Sequence, residues 1–205
     1  MNIAKPFNTR KLVLLALLTA IIIVLQVLAI VTRPLFPTFS ISLVLMPIVI
    51  GTALVGVYAG GWLGLAFGLA VLISGDAAPF MAINPAATIG VVLLKGMLAG
   101  LAAGAVYKLL ERKSKIVAAI VAAIVCPIVN TGVFIIGSYM FFLPTITEWG
   151  AAAGAANATA YIFLVMAGIN FLVEFGLNLV LCPTIVRLIQ LGQDRRGKVK
   201  SAMIA

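Results

Sequence analysis

Residues 40–74, SISLVLMPIVIGTALVGVYAGGWLGLAFGLAVLIS, contain no charged side chain. A water-soluble domain carries roughly a quarter of its residues as charges to wet its surface, so a run of this kind needs another solvent. The rest of the chain follows the same pattern. Of 205 residues, 64% are hydrophobic and 9% charged, and the mean hydropathy is +1.26. That solvent is a lipid bilayer. A spanning helix needs about 20 apolar residues, and the sequence predicts helices over approximately 12–31, 40–54, 58–74, 88–110, 116–142 and 160–191. The second and third share the uncharged run, and the break between them is expected in the glycine-rich residues 51–61. The expected fold is an all-α membrane protein. It is a single six-helix domain over residues 1–205, with no soluble domain and no internal repeat. The basic start followed by an apolar run resembles a signal peptide, but the run is too long for one and no small-residue cleavage site ends it. It reads as the first membrane helix.

Charge predicts the orientation. Lys and Arg concentrate in the short cytoplasmic loops of membrane proteins. Lys5, Arg10 and Lys11 precede the first span. Lys108, Arg112, Lys113 and Lys115 join the fourth to the fifth, and Arg187, Arg195, Arg196, Lys198 and Lys200 end or follow the sixth. Six spans place all of these on one side, with both termini cytoplasmic, and leave only Arg33 opposite, with Asp76 and Glu148. A single span over 40–74 would instead put the basic residues 111–115 outside. The net charge of +9 does not point to nucleic acid, because the cations fall in short clusters between apolar segments rather than on one basic face.

Several reaction classes lack the residues they need. The chain has no histidine and five acids. It has no phosphate-cradling GxxxxGK[ST], no metal-ligand cluster and no nucleophile paired with a base. Cys126 and Cys182 each precede a proline inside an apolar segment and read as small packing residues. No catalytic residue, metal or cofactor is expected, and an enzyme is disfavoured.

What remains is a small set of polar residues at membrane depth. By a rise of about 1.5 Å per residue, Lys95 lies about 10 Å in from the outer end of its span and Asn130 about 18 Å. On the sixth span, Asn170 and Glu174 lie about 15 and 21 Å in. Asn170, Glu174 and Asn178 are spaced four apart, which puts them on one helix face. An ionisable residue at mid-membrane costs about 2.5–3.5 kcal/mol on insertion scales, and is tolerated against a partner or a cavity. Two readings follow and can coexist. Lys95 and Glu174 pair and pin two helices together, or they line a solute cavity open to the outside. Asn in a membrane helix is often interhelical glue. Pro127 frees a backbone carbonyl near Asn130, and irregular backbone at that depth suits a covered cavity wall. The outer loops 33–41, 75–87 and 143–159, with Asn84, Phe36, Phe39, Phe80 and Trp149, read either as a lid or as ordinary turns. Ala16 and Ala20, four apart on the first helix, make a small face that another helix can approach closely. The glycines of GVYAGGWLGLAFG and KGMLAGLAAG make similar faces, expected to pack the bundle internally.

NTRKLVLLALLTAIIIVLQ, followed by a Pro-rich loop and then LVLMPIVIGTALVGVYAGGWLGLAFGLAVLI, resembles the substrate-binding S components of energy-coupling factor (ECF) transporters. INPAATIGVVLLKG and CPIVNTGVF have the same character, and the resemblance covers almost the whole chain. It implies an S-component-like bundle in the plasma membrane of a bacterial or archaeal cell. It implies as partners a small-molecule solute, a transmembrane coupling (T) subunit that docks on Ala16 and Ala20, and two ATPase subunits. The solute, a water-soluble vitamin of the pantothenate, folate or riboflavin type, would bind near the outer side. Lys95, Asn130, Asn170, Glu174 and Asn84 are the expected lining, and Lys95 suits an anionic group. The competing expectation is a stand-alone proton-coupled permease that uses Glu174.

Overall fold

The structure is a computed structural model that describes residues 9–32 and 43–202. Its elements are α1 (Thr9–Thr32), α2 (Leu45–Leu54), α3 (Val57–Ile73), α4 (Ala78–Met81), α5 (Pro85–Leu110), α6 (Lys115–Phe141), α7 (Leu143–Ala152), α8 (Ala158–Tyr161), a π-helical turn (Ile162–Met166) and α9 (Gly168–Ala202). There is no strand among the described residues.

Local chemistry sets the ends of these helices. Gly56 separates α2 from α3 at φ +134°, a conformation that side chains with a Cβ rarely adopt. Asn84 caps α5 by accepting the Ala87 N–H at 3.1 Å, and Pro85 follows at the first helical position, where its missing N–H is not needed. Ser114 caps α6 from the Val117 N–H at 3.4 Å, and Asn157 caps α8 from the Ala160 N–H at 2.8 Å.

Among the described residues, four stretches are long and apolar enough to cross a membrane: Thr9–Val31, Pro85–Leu110, Lys115–Phe141 and Ala158–Leu191. α2 and α3 are shorter, at 10 and 17 residues. The 10 residues of α2 rise only about 15 Å, half a hydrocarbon core. They occupy the interior: Leu45, Ile48, Val49, Ile50 and Leu54 are all buried, and α2 touches α1, α3, α5, α6 and α9. A helix that is apolar all round is one enclosed by its neighbours. The second predicted helix, 40–54, is therefore shorter at its start, where residues 40–42 lie outside those described. Residues 143–159, expected as a connection, instead contain α7. Leu143-Pro144 opens a helix as readily as it marks a turn, and Ile146 buries beneath it. The predicted helix 160–191 is interrupted by the π turn, in which Ala167 N–H reaches back five residues to the Ile162 carbonyl.

α3 packs most extensively on α5, and α5 on α6. The first seam is built of glycine. Gly60 faces the Gly100 carbonyl, Gly64 and Gly96 face each other's carbonyls, and Gly68 faces that of Val92. Such small faces bring helix backbones together where lipid supplies no hydrophobic drive. α1 lies on α3 by a stripe of Leu18, Ile22, Gln26 and Ala29, all buried. Its far side, including Ala16, Leu17, Ile23 and Val24, is exposed. Ile116, Ile128 and Ile136 on α6 and Val180 on α9 are also exposed, and apolar outer surfaces of this kind suit lipid.

Two tethers fix which helix ends lie together. Lys11 Nζ donates to the Val55 carbonyl at 3.3 Å, so the start of α1 meets the α2–α3 break. Val57, Lys108, Glu111 and Arg112 border one cavity, which brings the end of α5 to the same place. At the opposite end, buried Gln26 donates to Asp76 Oδ2 at 2.9 Å and Ser74 Oγ at 3.3 Å.

Candidate functional site

Lys95 projects from α5 between two other helices. Its Nζ lies 5.8 Å from the ring centroid of Phe67 on α3 and 5.3 Å from that of Phe134 on α6. Ring faces carry negative charge density and attract a cation at such distances. Two carboxylates act on Lys95 through space, Glu174 first and Asp76 second. The ammonium is thus held in an aromatic cleft within the electrostatic field of two acids. Glu174, on α9, is half-buried, and Asn178 Nδ2 donates to its backbone carbonyl at 3.0 Å.

Aromatic rings run from this cleft toward the end of the bundle that holds α4 and α7. Phe80, on α4, meets Phe134 edge-on at 5.8 Å, Phe142 at 5.0 Å and Trp149, on α7, at 5.7 Å. Phe142, Ile146 and Ile162 are buried there, with Tyr139, Tyr161 and Met166 packed around them. α4, α7 and the π turn therefore cover the Lys95 cleft with a greasy cap. Offset and edge-on ring pairs favour this kind of packing, while the four-residue α4 is joined at Gly75, φ +79°, to the end of α3.

Three buried oxygens lack a hydrogen-bond partner among the described residues: Asn130 Oδ1, Ser138 Oγ and Asn178 Oδ1. Leaving a buried polar atom unpaired costs about 1–3 kcal/mol, so unpaired atoms in a native fold call for an occupant or a purpose. Asn130, Phe134 and Ser138 are four apart on α6, which aligns two of these oxygens with the ring that faces Lys95.

The expected site residues thus fall into separate groups. Lys95 and Glu174 come within electrostatic reach of each other, and Asn130 shares a helix face with Phe134. Asn170 belongs to the first turn of α9, and its side chain lies outside the described residues. Asn84 is exposed, and its side-chain oxygen is occupied by the α5 cap. Ala16 and Ala20 are exposed on the side of α1 turned away from α3. Phe67, Phe134 and Ser138 were not singled out from sequence. Phe134 carried a usable signal, four residues after Asn130, whereas Phe67 in an uninterrupted apolar run carried none. Among the described residues no group of His, Cys, Asp or Glu could hold a metal ion.

Together the fold and this cleft describe a membrane-embedded, all-helical protein with an aromatic-walled cleft around a buried lysine beneath a covered end. A family model described as "ECF transporter, substrate-specific component" matches residues 10–186. The chain belongs to that family, and its class of function is transport as a substrate-binding subunit. No curated protein and no solved structure matches it.

Proposed function

We propose that this chain is the high-affinity solute-binding subunit of an ECF-type ABC importer in a bacterial or archaeal plasma membrane. Its solute is a water-soluble vitamin or related micronutrient with an anionic group. The observation that carries this reading is Lys95, a cation at membrane depth between Phe67 and Phe134. An anion on the solute would meet Lys95, and a flat or apolar part of it would lie on the rings. Donors on the solute would satisfy Asn130 Oδ1 and Ser138 Oγ, and Glu174 would take a further donor. Asn170 is proposed as lining on its position, one turn before Glu174. Asn84 is a weaker candidate, since only its amide nitrogen is uncommitted to the cap. Pantothenate and folate carry the required carboxylate, whereas riboflavin does not. Native mass spectrometry of the purified chain should detect a co-purified anionic small molecule. Its replacement by a neutral or cationic one would overturn the assignment of Lys95.

Six spans and cytoplasmic termini fit the positions of the charges. Lys11, Lys108 and Arg112 gather at the end that holds the α2–α3 break, as the positive-inside rule requires of a cytoplasmic face. Lys113→Cys is expected to resist membrane-impermeant maleimide in intact cells and to react after lysis. The native Cys126 and Cys182 are buried and give little background. Ready labelling in intact cells would reverse the orientation.

The chain has no ATP-binding loop, so energy must come from partners, proposed as a T subunit and two ATPases. Ala16 and Ala20 are the proposed docking face. Trp at either position is expected to abolish co-purification of the T subunit and uptake by cells, because close helix contact depends on small side chains, while solute binding by the isolated chain persists. Loss of solute binding with intact assembly would place that face inside the bundle instead.

A further inference from the structure

At the proposed cytoplasmic end, well away from the solute cleft, a cavity of about 460 Å³ is lined by Val57, Ala105, Lys108, Leu109, Glu111 and Arg112. Ala105, Lys108 and Leu109 share one face of the last turns of α5, and Glu111 and Arg112 continue the cavity wall in the turn that follows it. Along that face the chemistry changes from apolar to basic toward the helix end. Leu109 is 75% exposed and neighbouring Tyr58 is 91% exposed, so the apolar part of the wall opens to the surroundings of the bundle. Across the cavity α3 begins at Gly56 with no side-chain cap and open space beside it. The positive end of that helix therefore faces the same opening.

We propose that this cavity binds an anionic phospholipid of the inner leaflet. The headgroup phosphate lies between Lys108 and Arg112, and the acyl chains run along Ala105, Leu109 and Tyr58. Basic recesses between membrane helices on the cytoplasmic side take such headgroups. The order of the wall selects an amphiphile over a free anion, because a soluble phosphate would gain nothing from the exposed leucine and tyrosine. The Glu111 carboxylate also borders the cavity and opposes the phosphate, which gives the proposal a sign that can be tested. The site involves neither Lys95 nor Glu174, so it stands or falls separately from the solute reading.

The test uses the full-length chain in neutral detergent, titrated with dihexanoyl phosphatidylglycerol, dihexanoyl phosphatidylcholine or inorganic phosphate and read by native mass spectrometry. Phosphatidylglycerol should bind, and the other two should neither bind comparably nor displace it. Each lost cation near a membrane phosphate is expected to weaken binding about fivefold, so Lys108→Gln with Arg112→Gln should weaken it by about an order of magnitude or more. Glu111→Gln should tighten it. Lys113→Gln, an exposed cation on the same loop but off the cavity wall, should leave it unchanged. Equal losses from Lys113→Gln would reduce the effect to net charge and overturn the site. So would displacement by inorganic phosphate, or unchanged lipid binding in the double variant. If the double variant fails to fold, the direction of the Glu111→Gln effect alone decides, and weaker or unchanged binding overturns the proposal.

Discussion

Gly64→Leu is expected to eliminate the folded protein. A Cβ at Gly64 would overlap the carbonyl of Gly96, and one at Gly96 would overlap the carbonyl of Gly64. The obstructing atoms are backbone, so no rotamer change relieves the overlap and the two helices must separate. Separation cannot stay local. Gly60 against Gly100 is equally close one turn away, while a Cβ added at Gly68 or Gly104 would come within 2.9 Å of Val92 O or Val57 Cα. This seam is the most extensive helix contact in the bundle, and α5 carries Lys95 from it toward α6. Overpacking a tight core typically costs about 1–3 kcal/mol and occasionally more. With backbone against backbone at successive turns, the upper end is expected for Leu, and Gly64→Ala should already lower the melting temperature by several degrees. Gly132→Ala is the control. A Cβ there meets nothing within 4 Å, and alanine is favoured over glycine in a helix by about 1 kcal/mol. Size-exclusion profiles and thermal melts in detergent would read both. A Gly64→Leu protein that is monodisperse and melts near the wild type would mean that α3 and α5 are not in this contact.

Glu174→Gln is expected to leave the melting temperature close to wild type and to change solute affinity by more than about 1 kcal/mol, the scale of a lost charge-assisted hydrogen bond. The reason is how Lys95 is held. Its ammonium lies over two rings, a contact worth about 0.5–2 kcal/mol, and Asp76 attracts it as well. Removing one carboxylate therefore does not strand the cation. If Glu174 were instead the essential structural partner, the same change would break a buried pair. That costs about 3–5 kcal/mol in soluble proteins, and Lys95→Met added to it would restore stability. Melting temperatures of the two single variants and the double variant, with affinities for pantothenate, folate and riboflavin, separate these outcomes. Recovery of stability and binding together in the double variant would remove both residues from the solute site.

The helices that sequence located best are those bounded by charge and caps. The fourth and fifth predicted segments, 88–110 and 116–142, correspond to α5 and α6 at Pro85–Leu110 and Lys115–Phe141. Both are delimited by residues whose chemistry is local: Asn84-Pro85 at one end and the ERKSK turn between them. The α2–α3 break falls at Val55-Gly56, inside the glycine-rich stretch, because φ +134° there demands glycine. α7 was not anticipated. Its Pro and Gly read as turn residues by composition, and only the burial of Ile146 against Phe142 and Ile162 stabilises the helix they belong to.

The candidate site divides the same way. Lys95, Asn130 and Glu174 were visible one by one, because a polar side chain in an apolar run stands out whatever surrounds it. Their aromatic neighbours were not, since Phe67 and Phe134 are ordinary residues in apolar sequence until the helices bring them to Lys95, and Phe80 stood out only as one aromatic of an outer loop. Sequence by itself determined the solvent, the helical class and the distribution of charge between the two ends, because transfer into lipid is a property of each segment on its own. Tertiary structure alone decided which helices meet and what faces the buried lysine. All faces of these helices are about equally apolar, and hydrophobicity cannot rank partners that lipid itself resembles. The choice rests on shape, with glycine against glycine along α3 and α5, and shape exists only once both helices are in place.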